Sequence, residues 1–159
     1  MTENFNHGKN LNDKDYKSNT GFLFYQLTNL WIQKHERFLK KNYMLSLTQY
    51  AILTSTDRMT ASGMEITQTA LAQYCKIEKM TLSKNVAKLV KSGYLQVCTN
   101  SRDARANAIS LTDTSRKLLG RARGNVENLN RKFFSVLGYE LFNLNQIMIN
   151  VIELNDNMY

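Results

Sequence analysis

At 159 residues, with 43% hydrophobic and 21% charged side chains, the chain has the make-up of one ordinary globular domain, not a disordered segment. Its formal net charge of +8 favours a polyanionic partner. Short apolar runs, a polar start (Met1-Thr-Glu-Asn-Phe-Asn-His7) and only two cysteines argue against a membrane span, a secretory signal and a disulfide framework, so a cytoplasmic location is expected.

Residues 1–18 are polar and rich in Asn, Asp and Lys, and read as a loosely ordered arm. From Thr20 to about Lys41, Leu23, Leu27, Leu30, Trp31 and Phe38 recur at helical spacing and predict one long amphipathic helix, so residues 19–44 form the first structured segment. Ser46 and Gln49 then stand at capping-box spacing, where the Ser oxygen meets the third amide and the Gln side chain reaches back. A second helix is expected from Leu47 to about Met59, with a turn at Thr60-Ala-Ser-Gly63.

Residues 65–112 are the most informative part of the chain: a short strand, two helices at helix-turn-helix spacing and a β-hairpin with a basic tip. Thr67 is placed to cap a short helix running to about Cys75, with Ala70, Leu71 and Tyr74 packing inward. After a turn at Lys76-Ile77, the next helix should run from Lys79 to Ser92 and end at Gly93, a natural position for a left-handed cap. At about 100° per residue, Leu82, Val86, Leu89 and Val90 share one face of this helix. Met80, Thr81, Lys84, Lys88 and Lys91 take the opposite face. Tyr94–Thr99 and Ala108–Thr112 alternate as paired strands around residues 100–107, a wing whose Arg102 and Arg105 suit a minor groove. Asp103 is expected to pair with one of these arginines and brace the loop. Residues 76–105 hold seven basic side chains against two acids, so the positive charge is dense where the helix-turn-helix falls. Any one basic cluster is ordinarily just a solvated face; its coincidence with this motif favours DNA.

Thr112 can cap a long helix through about Leu137, with Gly138 breaking it. Leu137, Leu141, Leu144, Met148 and Val151 then repeat at four-three spacing, a stripe that packs either on the chain's own core or on a partner. Residues 133–159 carry three acids and no base. An enzyme needs a constellation of reacting groups. Here there are two distant histidines, no Gly-rich phosphate loop, no metal-spaced Cys/His set and no nucleophile motif, so neither catalysis, cofactor nor metal is expected.

Three segments in series resemble the MarR family of winged-helix transcription regulators, and the order of elements extends the likeness over roughly residues 20–157. Leu45-Ser-Leu-Thr-Gln-Tyr-Ala-Ile-Leu53 resembles the family's L-T-P-S-Q-F-A-V-L. Glu78-Lys-Met-Thr-Leu-Ser-Lys-Asn-Val-Ala-Lys-Leu-Val90 resembles its D-K-S-T-V-S-R-L-V-D-R-L-E recognition helix. Asp103-Ala-Arg105, running into Ile109-Ser-Leu-Thr112, resembles its D-x-R wing and following strand. The chain departs from the pattern at Leu47 (for Pro), Lys76 (for Gly), Glu78 (for Asp), Met80 (for Ser) and Lys84 (for Arg).

The resemblance implies a mainly α (α+β) fold, with a winged helix-turn-helix lobe at residues 45–112 between long dimerisation helices at 19–44 and 113–159. It implies a homodimeric regulator, most simply a repressor, that reads a pseudo-palindrome in double-stranded DNA. The implied DNA contacts are Thr67, Thr69, Lys79, Met80, Thr81, Ser83, Lys84, Lys88, Arg102, Asp103 and Arg105. Dimerisation falls to Leu23, Leu27, Leu137, Leu141, Leu144, Met148 and Val151. A small aromatic effector is implied between the helices and the winged lobe, with Trp31, His35, Tyr43 and Tyr50 as candidates by position. Two alternatives stay open: a winged-helix module that binds protein, and a redox-responsive regulator acting through Cys98 or Cys75.

Overall fold

The computed structural model describes residues 19–64, 66–99 and 107–156. Among these described residues, six helices and two paired strands follow in the order α1 (Thr20–Tyr43), α2 (Leu47–Ala61), α3 (Gln68–Cys75), α4 (Lys79–Lys91), β1 (Leu95–Thr99), β2 (Asn107–Leu111), α5 (Asp113–Phe133) and α6 (Glu140–Asp156). Between the last two lies a 3-10 turn, Ser135–Leu137.

Local chemistry sets most of these boundaries. The Asn19 side chain caps α1 by accepting from Phe22 N at 2.9 Å. The capping box at the start of α2 forms as the spacing requires, with Gln49 N to Ser46 Oγ at 3.1 Å and Ser46 N to Gln49 Oε1 at 2.9 Å. Glu36 of α1 accepts from Leu47 N at 2.8 Å, which fixes where α2 enters beneath α1. Thr67 caps α3 through Ala70 N at 3.1 Å. At the end of α4, Gly93 adopts φ +70°, the left-handed conformation glycine tolerates without strain. The chain then turns directly into β1, with Tyr94 N donating to Leu89 O at 2.9 Å.

The two strands form an antiparallel pair in which Leu95 faces Leu111 and Val97 faces Ile109. Leu95, Ile109 and Leu111 are buried against the helices, whereas Val97 stays 38% exposed. The core lies around α2, which touches α1, α3, α4, α5 and β2. Ile52, Leu53, Leu71, Leu82, Leu89 and Leu119 are fully enclosed there. Burial of such side chains is worth about 1.5–3 kcal/mol each.

Several expectations need correction. The strand expected at the start of 65–112 does not form among the described residues; a single bond, Ile109 N to Ile66 O at 2.8 Å, joins that segment to β2. Helix α2 continues to Ala61, so the turn narrows to Ser62-Gly63. Helix α5 ends at Phe133, short of Leu137, which falls in the 3-10 turn; Gly138 follows at φ +52°. Tyr74 is 44% exposed, because Leu71 and Ala72 set the inner sector of α3 and Cys75 lies between them on the wheel. Val90 is 38% exposed. It sits about 40° beyond the sector held by Leu89, Leu82 and Val86, at the rim of the packed face. No helix among the described residues is long and apolar enough to cross a membrane. The 1–18 arm lies outside the described residues.

Candidate nucleic-acid interface

Helix α4 presents two unlike faces. Leu82, Val86 and Leu89 are buried and anchor it on α2 and α3. Met80, Thr81, Lys84, Lys88 and Lys91 are exposed on the other side, as the wheel predicts, and Lys79 and Ser83, nearer the rim of the packed face, are exposed as well. Asn85 folds back so that its Nδ2 donates to Thr81 O at 2.9 Å, and it is thus occupied by its own helix. At the N-terminus of α4, Glu78 makes no side-chain cap hydrogen bond, in keeping with its weaker capping chemistry. That leaves the first-turn amides and the positive end of the helix dipole without a carboxylate cap.

The turn between α3 and α4 runs through Lys76 at φ +53°, a left-handed conformation usually given to glycine. Its ammonium pairs with Asp156 at the end of α6, so the last turn of the chain's final helix meets the helix-turn-helix. Thr69 is exposed on α3, whereas the Thr67 oxygen is already engaged as the cap. Arg102, Asp103 and Arg105 lie outside the described residues.

Behind this face, Asp57 of α2 receives Arg123 and, at 3.8 Å, Arg116, both from α5. The four aromatic or polar residues singled out as effector contacts fall into two pairs, Trp31 with His35 and Tyr43 with Tyr50, beside two openings that share Glu127 and Asn130. Trp31 lines a cavity of about 560 Å³ between α1, α5 and α6. Tyr50 lines the adjoining cleft of about 320 Å³ with Thr54, Arg58 and Arg123. Burial raises the Tyr50 pKa from the ordinary phenol value against the opposing pull of Arg123 and Arg58, so it enters that cleft as a neutral phenol. His35 is fully buried and stacks on Trp31 with centroids 4.3 Å apart. Its Nδ1 donates to Trp31 O at 2.8 Å, because a carbonyl only accepts, and its Nε2 has no partner among the described residues. Tyr43 donates to Arg121 O at 3.3 Å and accepts from Asn125 at 2.7 Å, tying α1 to α5.

The larger cavity gathers Leu27, Leu141, Leu144 and Met148 from the stripe residues, while Leu23 and Val151 are exposed and Leu137 is half-buried in the 3-10 turn. Sequence reasoning missed its α5 wall, Glu127, Asn130, Arg131 and Phe134. Those four have helical spacing, but three of them, Glu127, Asn130 and Arg131, are polar, and Phe134 alone past the end of α5 makes no apolar stripe. Trp31 Nε1 donates to Asn130 Oδ1 at 3.0 Å across the cavity floor. Cys75 is half-buried, and burial pushes its thiol pKa up, only partly countered by a hydrogen bond with Ser55. The Cys98 side chain lies outside what is described.

The sequence pattern of the MarR family matches residues 45–106. The HTH-type transcriptional regulator YdcH of Bacillus subtilis is 32% identical over 115 residues, covering 72% of this chain and 78% of that protein. Among solved structures, a MarR variant from E. coli complexed with operator DNA superposes with a TM-score of 0.73 at 17% identity, over 86% of this chain and 96% of that one. Bordetella bronchiseptica BpsR, whose DNA binding is regulated by 6-hydroxynicotinic acid, gives 0.75 at 15% identity, over 83% and 91%. The ordered helix-turn-helix, the hairpin behind it and the agreement with a relative along most of both chains lead to one assignment: this chain belongs to the MarR family of DNA-binding, non-enzymatic transcriptional regulators.

Proposed function

We infer that the chain works as a homodimeric repressor that reads a pseudo-palindromic operator. Each protomer lays α4 in a major groove, and the wing carries Arg102 and Arg105 to the adjacent minor groove. The observation that carries this reading is the division of α4 into a packed face (Leu82, Val86, Leu89) and an exposed face of ammonium and hydroxyl groups. Lysines there neutralise phosphates, and hydroxyls reach base edges. The uncapped first turn of α4 suits a phosphate as well. A dimer seated across a promoter blocks access to it, hence repression.

Pairing is supported by α6, which has no buried residue although Phe142, Ile147, Ile149, Val151, Ile152 and Leu154 are all at least 44% exposed. Phe24 and Leu30 of α1 are 61% and 60% exposed on the neighbouring helix. An apolar surface of this extent favours burial against a second copy. The acids of residues 133–159 and the basic groups Lys34, Arg37, Lys40 and Lys41 of α1 add charge complementarity to such a pair. A small aromatic effector fits the 560 Å³ cavity beside Trp31, which lies between the helices that pairing would bring together.

The test uses a duplex selected by the full-length protein from a randomised pool. With Lys84→Ala and Arg105→Ala combined, affinity at fixed moderate salt should fall at least tenfold. Unchanged affinity would leave a protein-binding winged helix as the better reading.

A further inference from the structure

The part of α4 farthest from its buried face has a composition of its own. With Leu82, Val86 and Leu89 inside, advancing about 100° per residue puts Met80, Lys84, Ala87 and Lys91 along the outermost line. All four are exposed, and they alternate apolar and cationic. Met80 is 69% exposed in the first turn of the helix. A single exposed apolar side chain needs no explanation in general. Its place here gives it one, because the first turn of a recognition helix is where side chains meet base edges.

The major-groove edge of a base pair offers one methyl group, the C5-methyl of thymine; its other readable groups are donors and acceptors. A thioether can do nothing useful for a phosphate or a carbonyl, but it packs well on a methyl. We propose that Met80 is a specificity-determining residue that packs on a thymine C5-methyl in each operator half-site. The proposal rests on the reading that α4 enters the major groove. Lys84 follows about 6 Å further along the axis and Ala87 about 10 Å. Base pairs succeed one another about every 3.4 Å along DNA, so both side chains can fall on base pairs beyond the one Met80 meets. Lys84 is thus placed for a purine acceptor or phosphate beyond the thymine, and the Ala87 methyl for a second apolar contact.

The experiment replaces thymine by uracil, which deletes the methyl and keeps pairing and O4 unchanged. Full-length protein is titrated against the selected duplex with each thymine exchanged in turn, symmetrically in both half-sites. At one position wild type should lose about fifteenfold, or about fourfold per half-site, the value of one buried methyl-sized group. Met80→Ala should bind the thymine and uracil duplexes alike, and Met80→Leu should keep the thymine preference. Because Met80 is exposed, both variants should unfold at the wild-type denaturant midpoint. The inference is overturned if Met80→Ala keeps the full thymine preference, or if no exchange costs wild type anything. In either case a tightly bound selected duplex leaves the major-groove reading standing. Failure of wild type to select any duplex defeats that reading, and this inference with it.

Discussion

The Thr112 hydroxyl accepts from Ser115 N at 3.3 Å and donates to Gly93 O at 2.7 Å, so one side chain caps α5 and holds it to the turn after α4. Its own amide donates to Tyr94 O at 3.2 Å. Thr112→Ala should lower the unfolding free energy by about 1–2 kcal/mol, the range for loss of a good N-cap. Urea denaturation measures it, and a change below about 0.3 kcal/mol would show the cap to be dispensable. Cys75 yields a second expectation at this scale. Its raised thiol pKa means less thiolate at neutral pH than an ordinary cysteine holds, and thiolate is the reactive form. In a Cys98→Ser background, alkylation by iodoacetamide at pH 7 should be slower than for the urea-unfolded protein, and should rise as pH passes 9. Faster alkylation in the folded state would instead restore Cys75 as a redox trigger.

Among the elements, α6 and α4 had very different legibility. Helix α4 could be read almost completely, because apolar spacing, charge and a terminal glycine all agree on one arrangement. Only Val90 was misplaced, since a wheel gives angles but not how wide the covering surface is. Caps at Ser46, Thr67 and Thr112 were legible too, because capping depends on neighbours three residues away. What resisted reading depends on distant partners. The cleft around Tyr50 exists because Arg58 and Arg123, 65 residues apart, meet there. Trp31 faces a cavity whose polar wall comes from α5, 99 residues away at Asn130. Position along the chain could nominate aromatic residues but not show which wall of the adjoining openings each one lines. The stripe of α6 was visible, yet its partner was not, since spacing alone does not say whose core it joins. If that partner is a second copy, Ile147→Glu with Val151→Glu, both exposed on α6, should convert the protein to a monomer in light scattering. DNA affinity should fall at the same time. An unchanged dimer would mean that pairing uses another surface, and a wild-type monomer would contradict pairing altogether.

For the whole molecule, charge is arranged by function as well as by amount. Basic side chains crowd residues 76–132, whereas residues 133–159 carry only acids. Affinity for DNA should therefore drop steeply with salt, with a logarithmic slope near −0.9 per phosphate neutralised. If Lys88 neutralises a phosphate in each protomer of a dimer, Lys88→Ala should lower that slope by about two, one per protomer. The Lys76–Asp156 pair adds a link between the two charge regions, joining the end of α6 to the turn that leads into α4. Hydroxyl-radical footprinting of the full-length protein on its selected duplex tests the central claim most directly. Two protected patches on one face of the duplex, centred about 34–36 Å or ten base pairs apart, are the predicted result for a two-fold reader. A single patch, or no protection at low salt, would contradict it.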